Sequence, residues 1–359
     1  MNVKTIFTSQ NIPRAYIKDR IFKLLKYQEQ LQHLMTLPKL EQRSPEWYEV
    51  RQNLITASDF AQALGRGKFG TQKQFYQKKC GYETDTFDAS SPALKWGVMY
   101  EPVAVDAYAA KNNMVMNEFG LLIHPEHKWF GASPDSITDL GIMVEIKCPW
   151  KRKITGEVPE QYMYQMQGQL DVCKLDECDF LECEFIQYSH QDEFCRHFHD
   201  NENEKGIIIE YKTVNDTTVQ YDYSPFTLCK DMKKLVEWCT TRTEHHATVN
   251  TIIKIHFWQL HTYSVVRVYK DEAFLRENIE KLRAVWQQIG LYKKDKDVYD
   301  QEINAVTAPK TQKGPTYMIN IDDDELPIIP KTNMPKTTVS KTTRDVQLSG
   351  YAFLSDAED

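Results

Sequence analysis

Nothing in the chain approaches the roughly 18 consecutive apolar residues of a membrane-spanning helix, so no span is expected. Residues 1–15 hold charges and a proline where a secretory signal would hold an apolar stretch, and secretion is not expected either. The eight cysteines (Cys80, Cys148, Cys173, Cys178, Cys183, Cys195, Cys229, Cys239) include no C-x-x-C pair. A chain of 359 residues needs no disulfide staples, so they read as reduced, packed thiols in an intracellular compartment. Basic excess is lacking too: 44 Lys and Arg stand against 51 Asp and Glu, a formal net charge of −7. That argues against a protein coating nucleic acid through concentrated cations, but not against an enzyme with a small basic channel. No internal repeat is found.

What is present supports a folded core. Hydrophobic residues make up 41% and charged residues 26%, and the length allows two ordinary domains or one elaborated domain. Apolar periodicity predicts helices over 14–36, 71–80, 94–111, 228–242 and 271–293. Ser44-Pro45-Glu46 opens a short helix carrying Trp47, Val50 and Arg51; Thr56, Ser58 or Asp59 caps the next, which ends near Gly65. Strands are expected over 115–124, 129–133, 142–148, 180–188, 207–211 and 252–268, and a helix from Pro159 to Cys173. Residues 189–205 read as a polar surface excursion. Beyond about 305, Thr, Lys, Pro and Asp dominate, which reads as a disordered tail.

The most informative stretch is 130–149. In a strand over 142–148, Glu145 and Lys147 share a face, about 7 Å apart along the chain. If the preceding strand pairs across the Asp139-Leu140-Gly141 turn, Asp135 approaches the same spot. Two carboxylates and an ammonium converging there suit metal-assisted phosphodiester hydrolysis, in which hard oxygen ligands hold Mg²⁺ and a cation offsets developing charge. A solvated Asp and a Glu–Lys surface pair would give the same short pattern.

The flanking blocks add an order. Trp47 with Arg51, then Ile55-Thr56-Ala57-Ser58; Ala93-Leu94-Lys95-Trp96-Gly97 through Tyr100-Glu101; Ser133-Pro134-Asp135; Glu145-Ile146-Lys147-Cys148-Pro149; and Tyr162-Met163-Tyr164-Gln165-Met166-Gln167 follow one another. In this the sequence resembles the lambda-exonuclease / YqaJ-like viral recombinase family, a branch of the PD-(D/E)xK nuclease superfamily. The resemblance spans roughly Arg43 to Leu170 and implies an α/β, restriction-endonuclease-like core, a mixed central β-sheet flanked by helices. It implies that Asp135, Glu145 and the Ile146 carbonyl bind Mg²⁺, with Mn²⁺ as a substitute, and that Glu101 completes the acidic site. Lys147 would assist the attacking water and Gln165 would contact that water or the scissile phosphate. Arg51 and Ser58, with Thr56, would bind a terminal 5′-phosphate. Leu94 stands where family members wedge the duplex end, although a core leucine would read the same. Lys151, Arg152 and Lys153 form the densest basic run beside the acids and are assigned to DNA-backbone phosphates.

The expected activity is a 5′-to-3′ exonuclease on double-stranded DNA ends in recombination or repair. The alternatives are a structure-specific or nicking endonuclease using the same site, and an inactive DNA-end-binding protein. The domain reading is a helical extension over 1–40, a nuclease domain over 41–300 with an insertion at about 189–260, and a tail over 305–359. The tail's Gly350–Leu354 looks like a docking peptide for a single-strand-annealing or replication protein, or a functionless terminus. The resemblance implies a homotrimer as one possible assembly, and the insertion could block or replace its contacts. The family's viral members would place the chain in host cytoplasm, a viral replication site or the nucleus. Cys173, Cys178 and Cys183 lack the clustering of an iron–sulfur site, so no such cluster is expected. Cys195, His197 and His199 would share one face if extended but lack a clear fourth zinc ligand.

Overall fold

The computed structural model describes residues 14–38, 40, 44–82, 91–213 and 218–305. The expected tail and its terminal docking segment lie outside these residues. The chain begins with α1 (Arg14–Thr36) and α2 (Pro45–Gln52), then β1 (Ile55–Thr56), a 3-10 turn (Ala57–Asp59), α3 (Phe60–Ala63), α4 (Gln72–Cys80) and α5 (Pro92–Asn112). Short strands follow: β2 (Met116–Asn117), β3 (Leu122–Ile123), β4 (Phe130–Ala132), β5 (Ser136–Thr138) and β6 (Met143–Lys147). After α6 (Glu160–Cys173) come β7 (Glu177–Tyr188), α7 (Gln191–Arg196), β8 (Lys205–Thr213) and β9 (Val219–Tyr223). The described chain closes with α8 (Met232–Val249), β10 (Asn250–Tyr269), α9 (Glu272–Lys294) and α10 (Lys296–Ala305).

Local chemistry sets these boundaries. Ser44 Oγ accepts the Trp47 N–H, with Pro45 in the first turn of α2. Thr71 and Gln74 form a capping box on α4, and Gly81 ends it in the left-handed region at φ 74°. Pro102 sits inside α5, directly after Glu101, and denies the helix one interior N–H donor.

The main sheet has the order β2-β5-β6-β7-β10-β8-β9. Among the described strands of this sheet, only β6 and β7 pair in parallel, joined by the crossover helix α6, as parallel neighbours require. Strand β10 pairs with β8 through its first half and β7 through its second, so β8 and β9, inside the expected insertion, widen the central sheet. A smaller sheet runs β1-β4-β3.

Both faces of the main sheet are covered. On one, Ile137, Met143, Cys178 and Phe180 pack with Tyr162, Met166 and Leu170 of α6 and Leu282 and Ile289 of α9. On the other, Val144, Ile146, Leu181 and Phe185 meet Met99, Tyr100, Val103 and Ala107 of α5. The architecture is thus mixed α/β, a central mixed sheet flanked by helices. Helix α1 docks Leu24 and Tyr27 on Leu140 and Ile142, and Gly141 (φ 74°) is needed there twice over: a Cβ would lie 2.5 Å from the Tyr27 carbonyl oxygen.

Four sequence expectations change. Residues 129–133 do not pair with 142–148; β5 does, with Ser136 opposite Val144. Pro134 offers no ladder donor, so the chain breaks after Ala132, sending β4 to the small sheet and β5 to the large one. The strand expected over 115–124 is likewise two short strands, β2 and β3, in different sheets. The excursion at 189–205 contains α7 and buries Phe194 and Phe198 against Ile207, Leu235 and Phe257. Within it, Cys195 is helical and His197 ends the helix, so Cys195, His197 and His199 do not form one extended face. Among the described residues no helix is long and apolar enough to cross a membrane.

Candidate active site

Glu145 is fully buried in the centre of β6, facing α6. Its Oε1 accepts from Gln165 Nε2 at 2.7 Å and lies 2.9 Å from Lys147 Nζ, while its Oε2 accepts from Gln169 Nε2 at 2.7 Å. Gln165 and Gln169 stand one turn apart on α6, the spacing that aims two side chains at one target. A buried carboxylate requires such compensation, since an unpaired one costs several kcal/mol. Lys147 Nζ also lies 5.0 Å from the centre of the Tyr162 ring. The expected Glu145–Lys147 face is present, and its solvent-pair alternative is excluded by burial of both residues.

Asp135 approaches from the loop before β5. Its Oδ2 accepts the backbone N–H of Ile146 at 2.7 Å, continuing the β5–β6 ladder past the point where Pro134 ends it. In an extended strand the N–H and C=O of one residue face the same neighbour, so the Ile146 carbonyl also looks toward Asp135. Glu101 comes from α5, on the opposite face. Burial first, then the neighbouring Cys183, Glu101 and Asp135, push the Cys148 thiol well above its ordinary value, so both acids act on this one thiol.

Carboxylates and a carbonyl are the hard oxygen donors that suit a divalent cation such as Mg²⁺, so the donor chemistry fits. Among the described residues, however, no three His, Cys, Asp or Glu side chains already form a cation cage. Asp135 is bonded to Ile146, Glu145 is held by its amides and lysine, and Glu101 comes from α5.

The second grouping is polar and cationic. Arg51 lies over the Trp47 ring, 4.4 Å from its centre, and donates from Nη2 to Ser58 Oγ at 3.2 Å. Ser58 Oγ is 3.0 Å from Thr56 Oγ1, which donates to Asp59 Oδ2 at 2.8 Å. The sequence thus brings Arg51, Thr56 and Ser58 together as expected. It did not reveal Asp59, Lys78 and Lys79 beneath them. Lys79 Nζ is 2.9 Å from Asp59 and donates to the Arg51 carbonyl at 3.0 Å; Lys78 is 3.6 Å from Asp59. Burial would raise the Asp59 carboxyl, but Lys79, Lys78 and Arg51 outweigh it and hold it well below the usual carboxylate range. Burial pushes Lys79 down to about 8 against the pull of Asp59. Three cations around one carboxylate leave a net positive cradle beside two hydroxyls, which is suited to an anion. The available signal was the basic pair in the last turn of α4.

One helix connects the two groupings. Gly168 of α6, between Gln165 and Gln169, packs so tightly that a Cβ would lie 3.0 Å from Phe130 and Phe60 and 3.1 Å from Ala57. The glycine lets α6 sit directly on the 3-10 turn that carries Ser58 and Asp59.

The remaining expected residues separate. Leu94 is only 5% exposed in the first turn of α5. In the basic run, Lys151 is exposed over Trp150 and Lys153 is exposed, whereas Arg152 turns inward to Glu182.

Two viral relatives match this chain. An uncharacterized protein of Acanthamoeba polyphaga mimivirus is 25% identical over 333 residues, covering 81% of this chain and 60% of that protein. A protein of African swine fever virus is 25% identical over 161 residues, covering 36% of this chain and 46% of its own length. The chain thus spans less than two thirds of either relative. Among solved structures, the alkaline exonuclease of Laribacter hongkongensis superposes at a TM-score of 0.44 with 19% identity, over 74% of this chain and 100% of that one. A phage-related exonuclease of Haemophilus somnus gives a TM-score of 0.38 with 12% identity, over 70% and 96%. Residues 46–176, the span from α2 to the loop before β7 on which both groupings are built, match the YqaJ-like viral recombinase domain.

Proposed function

We propose that the chain is a divalent-metal-dependent deoxyribonuclease that degrades double-stranded DNA 5′ to 3′ from 5′-phosphorylated ends, in recombination or repair. The observation that carries this reading is the β6 junction, where Asp135 is bonded to Ile146 and the buried Glu145 is paired with Lys147. The YqaJ-like domain supports the nuclease class, and the Arg51 cradle supports selection of phosphorylated ends.

Asp135, the Ile146 carbonyl and Glu145 would hold Mg²⁺, or Mn²⁺ in its place, with Glu101 completing the acidic set. When bound, the cation supplies an activated water and offsets charge on the phosphate oxygens. Lys147, paired with Glu145, places an ammonium where negative charge develops on the scissile phosphate. Gln165 and Gln169 fix the Glu145 carboxylate, and Gln165 would contact the water or the scissile phosphate. Arg51 forks onto the terminal 5′-phosphate together with Ser58 and Thr56, with Asp59 holding Thr56 in place. A phosphate held at fixed distance from the acids selects ends and sets polarity. Lys151 and Lys153 contact backbone phosphates along the duplex. Leu94, buried, serves as packing for α5 rather than as a wedge.

The test is digestion of linear against closed-circular duplex, with Mg²⁺ or with EDTA. The reading expects nucleotide release from the linear form only, and only with metal. Cleavage of the closed circle would make the chain an endonuclease, and no cleavage of either would leave it an end-binding protein.

A further inference from the structure

On β7, Glu182 lies in register with Lys147 of β6, so the two side chains share a sheet face, about 4.8 Å apart strand to strand. The Glu182 side chain is 0% exposed. Its Oε1 accepts from Arg152 Nη2 at 2.5 Å, but its Oε2 is buried with no hydrogen-bond partner. A buried, half-used carboxylate is costly, and a core position that needed only packing would carry an apolar residue.

Arg152 lies on the loop that follows β6. Its guanidinium is 5.9 Å from the centre of the Tyr162 ring, the same ring that Lys147 approaches at 5.0 Å. The bond to Glu182 is its single hydrogen bond among the described residues, and its side chain is 19% exposed. A guanidinium that served only to neutralise Glu182 would take both oxygens in a fork. With one oxygen taken, most of its five donors are left for an outside acceptor.

We infer that Glu182 is a positioning residue that, with the Tyr162 ring, holds Arg152 as the guanidinium gripping a DNA backbone phosphate beside Lys147. This rests on the nuclease reading and divides the basic run: Arg152 is fixed in place by a buried acid, whereas Lys151 and Lys153 are exposed surface charges.

Binding of a 5′-phosphorylated duplex to the metal-free full chain in EDTA, followed by fluorescence anisotropy over a salt series, tests it without turnover. Arg152→Ala should weaken binding roughly tenfold and reduce the slope of log affinity against log salt by about 1. Glu182→Ala should reproduce most of both changes, and Glu182→Gln, which keeps an acceptor, less of them. The double variant should bind no more weakly than Arg152→Ala alone, because both substitutions remove one interaction. Wild-type affinity and slope in both Glu182 variants, or losses that add in the double variant, would overturn the inference. Should melting curves show that Glu182→Ala does not fold, Glu182→Gln decides alone. A wild-type chain that neither binds nor cleaves duplex would instead sink the nuclease reading itself.

Discussion

Gln169 Nε2 donates to Glu145 Oε2 at 2.7 Å, while Gln165, one turn earlier on α6, donates to Oε1 of the same carboxylate. The two amides fix the plane of the only fully buried acid on β6. Replacing Gln169 with Ala should leave one carboxylate oxygen unsatisfied, lowering stability by about 1–3 kcal/mol. It should also lower kcat on the order of tenfold through a misdirected Glu145. Denaturant melts with single-turnover cleavage measure both; an unchanged kcat would reduce Gln169 to packing.

Arg51→Ala should erase the preference for 5′-phosphorylated over 5′-hydroxyl ends while leaving cleavage of hydroxyl ends nearly unchanged. Ser58→Ala should do the same in smaller measure, since it removes one neutral hydrogen bond, worth about 1 kcal/mol. Competition between the two duplexes in one reaction reads the ratio directly. Equal losses on both would point to a folding role for Arg51.

Acid should draw down the stability that the cradle contributes, although Asp59 itself is among the last carboxylates to protonate in the folded state. Burial opposes ionisation of Asp59, but its cations prevail and depress its folded-state value. A depressed carboxyl contributes stability that is present above its unfolded value of roughly 4 and is lost as pH falls through the folded value. Asp171, held down by His124 and Lys174 against burial, acts in the same direction. Melting temperatures should therefore drop progressively below about pH 4, and Asp59→Asn should flatten part of that slope while lowering stability at neutral pH. A variant with the wild-type slope would contradict the assignment.

Much of this was legible in the sequence because it is local. Glu145 and Lys147 are two residues apart on a strand, and the Ser44 cap and the α6 boundary follow from turn and cap chemistry. The strand partner was not legible: Ser136–Thr138 offers one apolar residue, and only Pro134 hints that β4 and β5 part company. Asp59 and Lys79 meet because α4 folds back on the 3-10 turn, and Glu182 meets Lys147 because β7 returns parallel to β6. Such long-range neighbours leave no spacing to read. Gln169 was visible on the same helical face as Gln165, but a polar stripe usually faces water, and here it faces a buried acid.

Gly168 links the phosphate cradle to the acids, so its enlargement should affect both. Gly168→Val should overpack α6 against Phe60, Phe130 and Ala57, costing about 1–3 kcal/mol. It should reduce cleavage of phosphorylated ends more than binding of them, because the distance between cradle and acids changes. A melting curve with parallel binding and cleavage assays separates these effects; loss of binding alone would place the defect in the cradle.

The most direct test is a time course on linear duplex labelled at the 5′ or the 3′ end of one strand, with and without 5′-phosphate, in Mg²⁺. Wild-type protein should release the 5′ label first, faster from the phosphorylated end, and Glu145→Gln, shown to be folded by circular dichroism, should release nothing. Early release of the 3′ label, or full activity in Glu145→Gln, would contradict the account.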